Sequence, residues 1–167
     1  MKQIAMAFVI SLAAAPAMAD EPGGRITGTI GDRPVTVEIW RAQSDAYGDA
    51  ERGGVSIYTR HIDPDDGFGR LSLGFEGTFT NPFNIELSIA GVGTDPKPHV
   101  NGYWEADQED LTLRIARSEV RGDLLAIRGT VSGELLFQPQ GDRAAPASAL
   151  SDSLSVTLDF DARLEMD

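Results

Sequence analysis

Apolar and polar residues alternate with a period of two over most of this chain, which is the pattern of β-strands buried on one face. The clearest case runs from residue 71 to residue 89, where a Thr-Asn-Pro turn sequence separates two alternating segments. The apolar positions of these segments are Leu71, Leu73, Phe75, Phe79, Phe83, Ile85, Leu87 and Ile89. The pattern predicts an antiparallel hairpin that buries these side chains on one face.

The same alternation recurs in several other segments. They are residues 26–30, 35–39, 55–58, 103–104, 111–115, 125–137 and 154–164. One-sided strands form antiparallel sheets that must hide their apolar face against another layer. We therefore predict one all-β domain over residues 20–167, an antiparallel β-sandwich of about nine strands. A closed or partly open β-barrel is the alternative, because alternation is the same in both architectures.

The first nineteen residues have the organisation of an export signal. Lys2 supplies a positive charge, residues 4–15 are uncharged and largely apolar, and Ala17-Met18-Ala19 resembles a cleavage site. The apolar stretch is shorter than the roughly 20 residues that span a membrane. We predict a signal peptide over residues 1–19, with no membrane anchor once it is cleaved.

Composition limits the cellular compartments and the classes of binding partner that fit this protein. The chain has 26 acidic and 14 basic residues, a net charge of −12 and no cysteine. The acidic balance repels phosphate and so predicts no nucleic-acid partner. Missing cysteine excludes thiol nucleophiles, thiolate metal sites and disulfides. With no Asn-x-Ser/Thr sequon either, the chain is typical of a bacterial periplasmic or secreted protein.

Three carboxylates close together form the first candidate site. Asp63, Asp65 and Asp66 precede Gly67, and oxygen-rich segments that turn at glycine suit a hard cation. These aspartates are candidate calcium ligands. Gly74 stands where an EF-hand loop would need glutamate, so a charged turn is the competing interpretation. No other cofactor is predicted.

The two histidines form a second candidate. His61 and Asp63 project to the same side of a strand, and a histidine zinc site would also need His99. The competing interpretation is that both histidines are ordinary surface residues.

Aromatic residues form the third candidate. Trp40 and Trp104 are candidate ligand-binding residues, because exposed indoles on a β-sheet stack on sugar rings. Adjacent side chains on a strand point to opposite faces, so Tyr103 and Trp104 cannot both be in the core.

No nucleophile-elbow, zinc-protease, phosphate-loop or dinucleotide motif occurs, and no catalytic residue is predicted. The prediction is a non-enzymatic binding or structural module with a protein, small-molecule or glycan partner. One alternative is a carrier of lipid-like small molecules, which would need an internal cavity of about 300 Å³ or more. The other is a hydrolase using a carboxylate pair such as Glu105 and Asp107.

Overall fold

The computed structural model describes residues 21–49, 52–65, 67–78, 80–93, 99–140 and 152–166. Ten strands account for most of them. They are β1 (Gly24–Ile30), β2 (Arg33–Ile39), β3 (Asp45–Gly48), β4 (Gly53–Asp63), β5 (Phe68–Thr78), β6 (Asn81–Gly93), β7 (His99–Asp107), β8 (Leu111–Arg121), β9 (Leu124–Pro139) and β10 (Ser153–Met166). Two three-residue 3-10 turns, Arg41–Gln43 and Gln108–Asp110, complete the secondary structure. The all-β prediction is confirmed, and the predicted signal peptide lies outside the described residues.

All ten strands belong to one sheet, in the order β2-β1-β10-β3-β4-β5-β6-β7-β9-β8. Two further pairings, β2–β4 and β10–β9, bring the sheet round into a ring. The pairings are antiparallel except for a short parallel contact between β3 and the end of β10. The two packed layers expected of a sandwich are thus opposite walls of one continuous sheet.

The 3-10 turns determine where the ring is closed. The chain runs from β7 through Gln108–Asp110 into β8 while staying beside β9. The chain also runs from β2 through Arg41–Gln43 into β3 while staying beside β4. Within the described part of the chain, β8 pairs with β9 alone. Strand β7 therefore closes the ring by pairing with both β6 and β9, whereas β8 is an edge strand beside β9.

The interior is a single cluster of buried apolar side chains to which all ten strands contribute. Trp104 is fully buried and its ring centroid lies 5.6 Å from that of Phe68 and 4.9 Å from that of Phe137. Trp104 thus packs against both of these aromatic rings in the interior. Each large apolar side chain buried in this way contributes about 1.5–3 kcal/mol to the stability of the fold. Within the described residues, no helix has the length and apolar character needed to cross a membrane.

The predicted hairpin of residues 71–89 is formed by β5 and β6, with one correction. Leu71, Leu73 and Phe75 are buried as expected, but Phe83 is 40% exposed. The pairing register shifts between Gly74 and Glu76 of β5, and Asn84 takes a φ of 49°. This bulge adds a residue to β6 and turns Phe83 outward, which strict alternation cannot anticipate. Phe79 lies outside the described residues.

Candidate functional site

A bulge in β4 organises the outer face of the sheet. Tyr58 pairs with Ser72 and His61 pairs with Arg70, so β4 has one residue more than β5 between these pairs. Thr59 is fully buried at this point, and its hydroxyl accepts a 2.9 Å hydrogen bond from the backbone N–H of Leu71. Bulges re-aim side chains. This one leaves both Tyr58 and His61 exposed on the same side as Arg70.

Three rows of paired residues cross the outer face of β4, β5, β6 and β7. The acidic row is Ser56, Gly74, Glu86 and Asp107. The serine row is Tyr58, Ser72, Ser88 and Glu105. The basic row combines the pair His61–Arg70 with the pair Ala90–Tyr103. Four of the central residues, Ser72, Gly74, Ser88 and Ala90, are small, and larger side chains around them enclose a long depression.

This depression, which we call the trough, consists of three connected pockets. Their volumes are about 410, 390 and 510 Å³ from the acidic end to the basic end. Ser56 and Gly74 line both the first and the second of these pockets. Ser72 and Ser88 line both the second and the third. Arg70 and Glu76 lie six positions apart on β5, about 20 Å at the usual strand rise. The trough is therefore as long as an extended chain of several residues or sugar units.

Charge is strongly separated along the trough. The basic pocket contains Arg70 and both histidines of the chain, and no described carboxylate lines it. The two acidic pockets contain Glu76, Glu86, Glu105 and Asp107, and no described basic residue lines them. Glu86 and Asp107 are directly opposite on neighbouring strands. Like charges at such positions destabilise a sheet, so this arrangement works against stability.

Trp40 lies beside the basic pocket with two arginines packed on its ring. The guanidinium carbons of Arg60 and Arg70 lie 4.3 Å and 4.4 Å from the ring centroid. Each such cation–π contact stabilises by about 0.5–2 kcal/mol. A guanidinium that stacks through its flat face still directs its N–H donors outward from its edge. Stacking thus orients Arg70, which also lines the pocket, without using its donors.

Backbone contacts hold Trp40 in place. Its N–H donates a 2.7 Å hydrogen bond to the carbonyl of Tyr58. The buried hydroxyl of Ser44 donates to the Trp40 carbonyl at 2.9 Å and accepts from the N–H of Tyr58 at 2.9 Å. These bonds attach Trp40 and the turn Arg41–Gln43 to β4, on which Arg60 lies.

The structure separates the two tryptophans predicted to bind ligand. Trp40 is half-buried at the edge of the basic pocket. Trp104 is 0% exposed in the core, so its indole presents no surface for stacking. Its neighbour Tyr103 points the other way and lines the pocket.

The predicted metal ligands lie in two different places, the histidines in the basic pocket and the described aspartates at the end of β4 and in the turn after it. His61 and His99 both line the basic pocket, but no group of three His, Asp or Glu side chains suited to a metal is found among the described residues. Asp63 ends β4 and Asp65 lies in the exposed turn that follows. Asp66 lies outside the described residues, so calcium binding here stays a prediction.

Sequence reasoning missed Tyr58, Arg70 and the serine pair as members of one site. Alternation with apolar residues marked Ser72 and Ser88 only as polar strand positions, and it gave Tyr58 and Arg70 no role. The bulge in β4 and the register of four strands bring them together, and neither is visible in a single sequence. No protein-family model, curated protein or solved structure matches this chain, so its function is inferred from the geometry of the site.

Proposed function

We propose that this protein is an exported, non-enzymatic binding module that holds an elongated ligand in the trough. The observation that supports this most directly is the shape of the trough, which runs about 20 Å along the strands. Its floor includes the small side chains of Ser72 and Ser88, whose hydroxyls hydrogen-bond to each other at 2.8 Å. Tyr58 and Tyr103 stand at its sides. Tyrosines flanking a polar floor are suited to contact rings and hydroxyls together.

The position of the depressions favours this proposal over a carrier with a lumen. A carrier needs an enclosed cavity between the walls of the sheet. In the described residues that space holds the packed core, whereas the three pockets of the trough open to solvent on the outside. An open trough also admits a ligand that is part of a longer polymer.

A second candidate function, carboxylate-based hydrolysis, is favoured by one observation. Glu86 and Asp107 are paired across β6 and β7 at the acidic end. A glycosidase acid usually lies in apolar surroundings that keep it protonated, and both of these residues are exposed. Binding is therefore the better supported function. If the protein hydrolysed an oligosaccharide and lost this activity in Glu86→Gln and Asp107→Asn, hydrolysis would become the better supported function.

The binding proposal is tested by titrating the ¹⁵N-labelled protein with four probe classes and following amide chemical shifts. The probes are neutral oligosaccharides, uronic-acid oligosaccharides, short peptides and aromatic carboxylates. We expect at least one class to shift the amides of Ser72, Ser88 and Tyr103. Shifts confined to other surfaces, or to the core, would contradict the proposal.

A blocking variant makes the test specific to the trough. A Cβ at Gly74 would have only one neighbouring heavy atom within 4 Å, the carbonyl oxygen of Val55 at 3.9 Å, and its φ is not left-handed. Gly74→Trp should therefore fill the trough without straining the backbone, and abolish the shifts. Thr130→Trp places the same bulk at an exposed position on β9 and should leave them intact.

Export is tested separately. Expression of the full chain in a Gram-negative host, followed by osmotic-shock release and intact-mass measurement, should give a species that begins at Asp20. A cell-associated species of full mass would contradict the proposed signal peptide.

A further inference from the structure

We propose that the basic pocket is a receptor for the anionic group of a ligand that has a single negative charge and an adjoining ring. This inference rests on the proposed function, because it specifies what the trough binds at one end. Three features of the pocket support this proposal. Its lining attracts an anion, the side chain of Arg70 is ordered before the ligand binds, and the neighbouring surface accepts an uncharged ring.

The pocket attracts an anion because of what lines it. In a chain with 26 acidic residues and a net charge of −12, a 510 Å³ depression contains no described carboxylate. It does contain Arg70, His61 and His99. Arginine presents paired donors that match the two oxygens of a carboxylate. The pocket therefore presents the guanidinium of Arg70 without a described carboxylate lining the same pocket.

The attraction is pre-arranged by the stack on Trp40. The guanidinium carbon of Arg70 lies 4.4 Å from the ring centroid, so the side chain is held beside the pocket before a ligand arrives. Ordering a long side chain in advance lowers the entropy cost of binding. The stack thus reduces the cost of binding an anion at Arg70.

The floor beside Arg70 is apolar. Ala90 and Val92 are each 8% exposed and lie outside the main core cluster, so they belong to the outer face of β6. They line the pocket together with Tyr58, which is 43% exposed, and Tyr103. An aromatic or sugar ring attached to the anion would cover this surface, and burial of apolar area contributes about 25 cal/mol per Å².

The acidic end restricts the ligand to one negative charge. A second anionic group further along the trough would approach Glu86, Glu105 and Asp107. Over such short distances salt screens the repulsion only in part, because the Debye length is about 8 Å at physiological ionic strength. Polyanions are therefore disfavoured. The shared chemistry is a ring-bearing monoanion, which an acidic sugar at a chain end or an aromatic acid would provide.

The experiment uses matched charged and neutral probes measured by calorimetry on the protein that begins at Asp20. The sugar arm compares a neutral disaccharide with its analogue that ends in one uronic acid. The aromatic arm compares 2-naphthoate with 2-naphthalenemethanol. We expect the charged member of at least one pair to bind ten-fold more tightly or better, and added salt to reduce this advantage. The arm that responds identifies the source of the anion.

Two arginine variants assign the effect to the pocket. Arg70→Gln should remove the advantage of the charged probe. Arg114→Gln changes the net charge equally, at an exposed position of β8 on another part of the sheet, and should keep affinity within two-fold of the unmodified protein. Equal affinity of charged and neutral probes, equal effects of the two variants, or no binding at millimolar concentration would each overturn the inference.

Gly74→Trp separates this inference from the proposed function. Probes that bind regardless of charge and are lost in Gly74→Trp would leave the trough proposal standing while the anion receptor fails. Charged probes that depend on Arg70 but tolerate Gly74→Trp would confirm the anion receptor and limit binding to the basic pocket.

Discussion

Replacing Thr59 by valine tests whether one buried hydroxyl maintains the bulge that organises the site. Thr59 is 0% exposed, and its hydroxyl oxygen accepts from the N–H of Leu71 at 2.9 Å. The same hydroxyl donates a longer bond of 3.4 Å to the Leu71 carbonyl. Valine keeps the shape of the side chain but leaves the Leu71 backbone groups without these partners.

The expected loss follows from burial. Leaving a buried donor unsatisfied costs about 1–3 kcal/mol. For a protein of this size each kcal/mol lowers the melting temperature by about 2–4 °C, so a loss of about 1–3 kcal/mol should make Thr59→Val melt roughly 2–12 °C lower. Thr157→Val is the control, because Thr157 is an exposed strand residue on β10. Its effect should stay within about 0.5 kcal/mol.

Urea unfolding and amide hydrogen exchange are the two assays. The unfolding midpoint of Thr59→Val should fall with an unchanged denaturant slope, and the Leu71 amide should exchange faster than in the unmodified protein. Thr59→Ser keeps the hydroxyl and should recover most of the protection at Leu71. A Thr59→Val protein as stable as the Thr157→Val control would refute the assignment of the bulge to this hydrogen bond.

Three further predictions concern the core, one surface ion pair and the calcium hypothesis. Trp104→Ala should destabilise the fold by about 3–5 kcal/mol in urea unfolding, and a loss below 1 kcal/mol would contradict its core position. Hydrogen bonds from Arg121 and then Arg117 lower the pKa of Glu119. The stabilisation that ionised Glu119 provides is therefore present at neutral pH and lost as pH falls through its lowered pKa. An NMR titration should show that the pKa of Glu119 is higher in Arg121→Gln than in the unmodified protein, and an unchanged pKa would refute the pairing. Millimolar calcium should raise the melting temperature and Asp63→Asn should remove the rise; an unchanged melting temperature would contradict calcium binding.

The success of the strand predictions has a simple cause. A strand buried on one face must alternate, so residues such as Leu71, Leu73 and Leu87 mark their own orientation. The failure at Phe83 has an equally local cause, since one extra residue on β6 near Asn84 reverses the orientation of Phe83. Alternation is informative only between bulges.

The candidate site was less accessible to sequence reasoning than the strands. Trp40 was recognised as a ligand-binding candidate from its type alone, yet its partners Arg60 and Arg70 were not, because they come from two other strands. Trp104 had the same residue type and lies in the core instead. Residue type indicates what an indole can do, whereas burial depends on which face of β7 meets the interior.

The sequence alone was sufficient to predict an all-β chain with one apolar face per strand, because alternation is a property of neighbours along the backbone. Ring closure, the edge position of β8 and the charge separation of the trough emerged only with the tertiary structure. These features depend on hydrogen bonds between residues far apart in sequence, such as the pairs Trp104–Phe137 and Ile39–Thr59. Their register is set by turns and bulges that shift the pairing by one to three residues, and the composition of any single segment does not encode that shift.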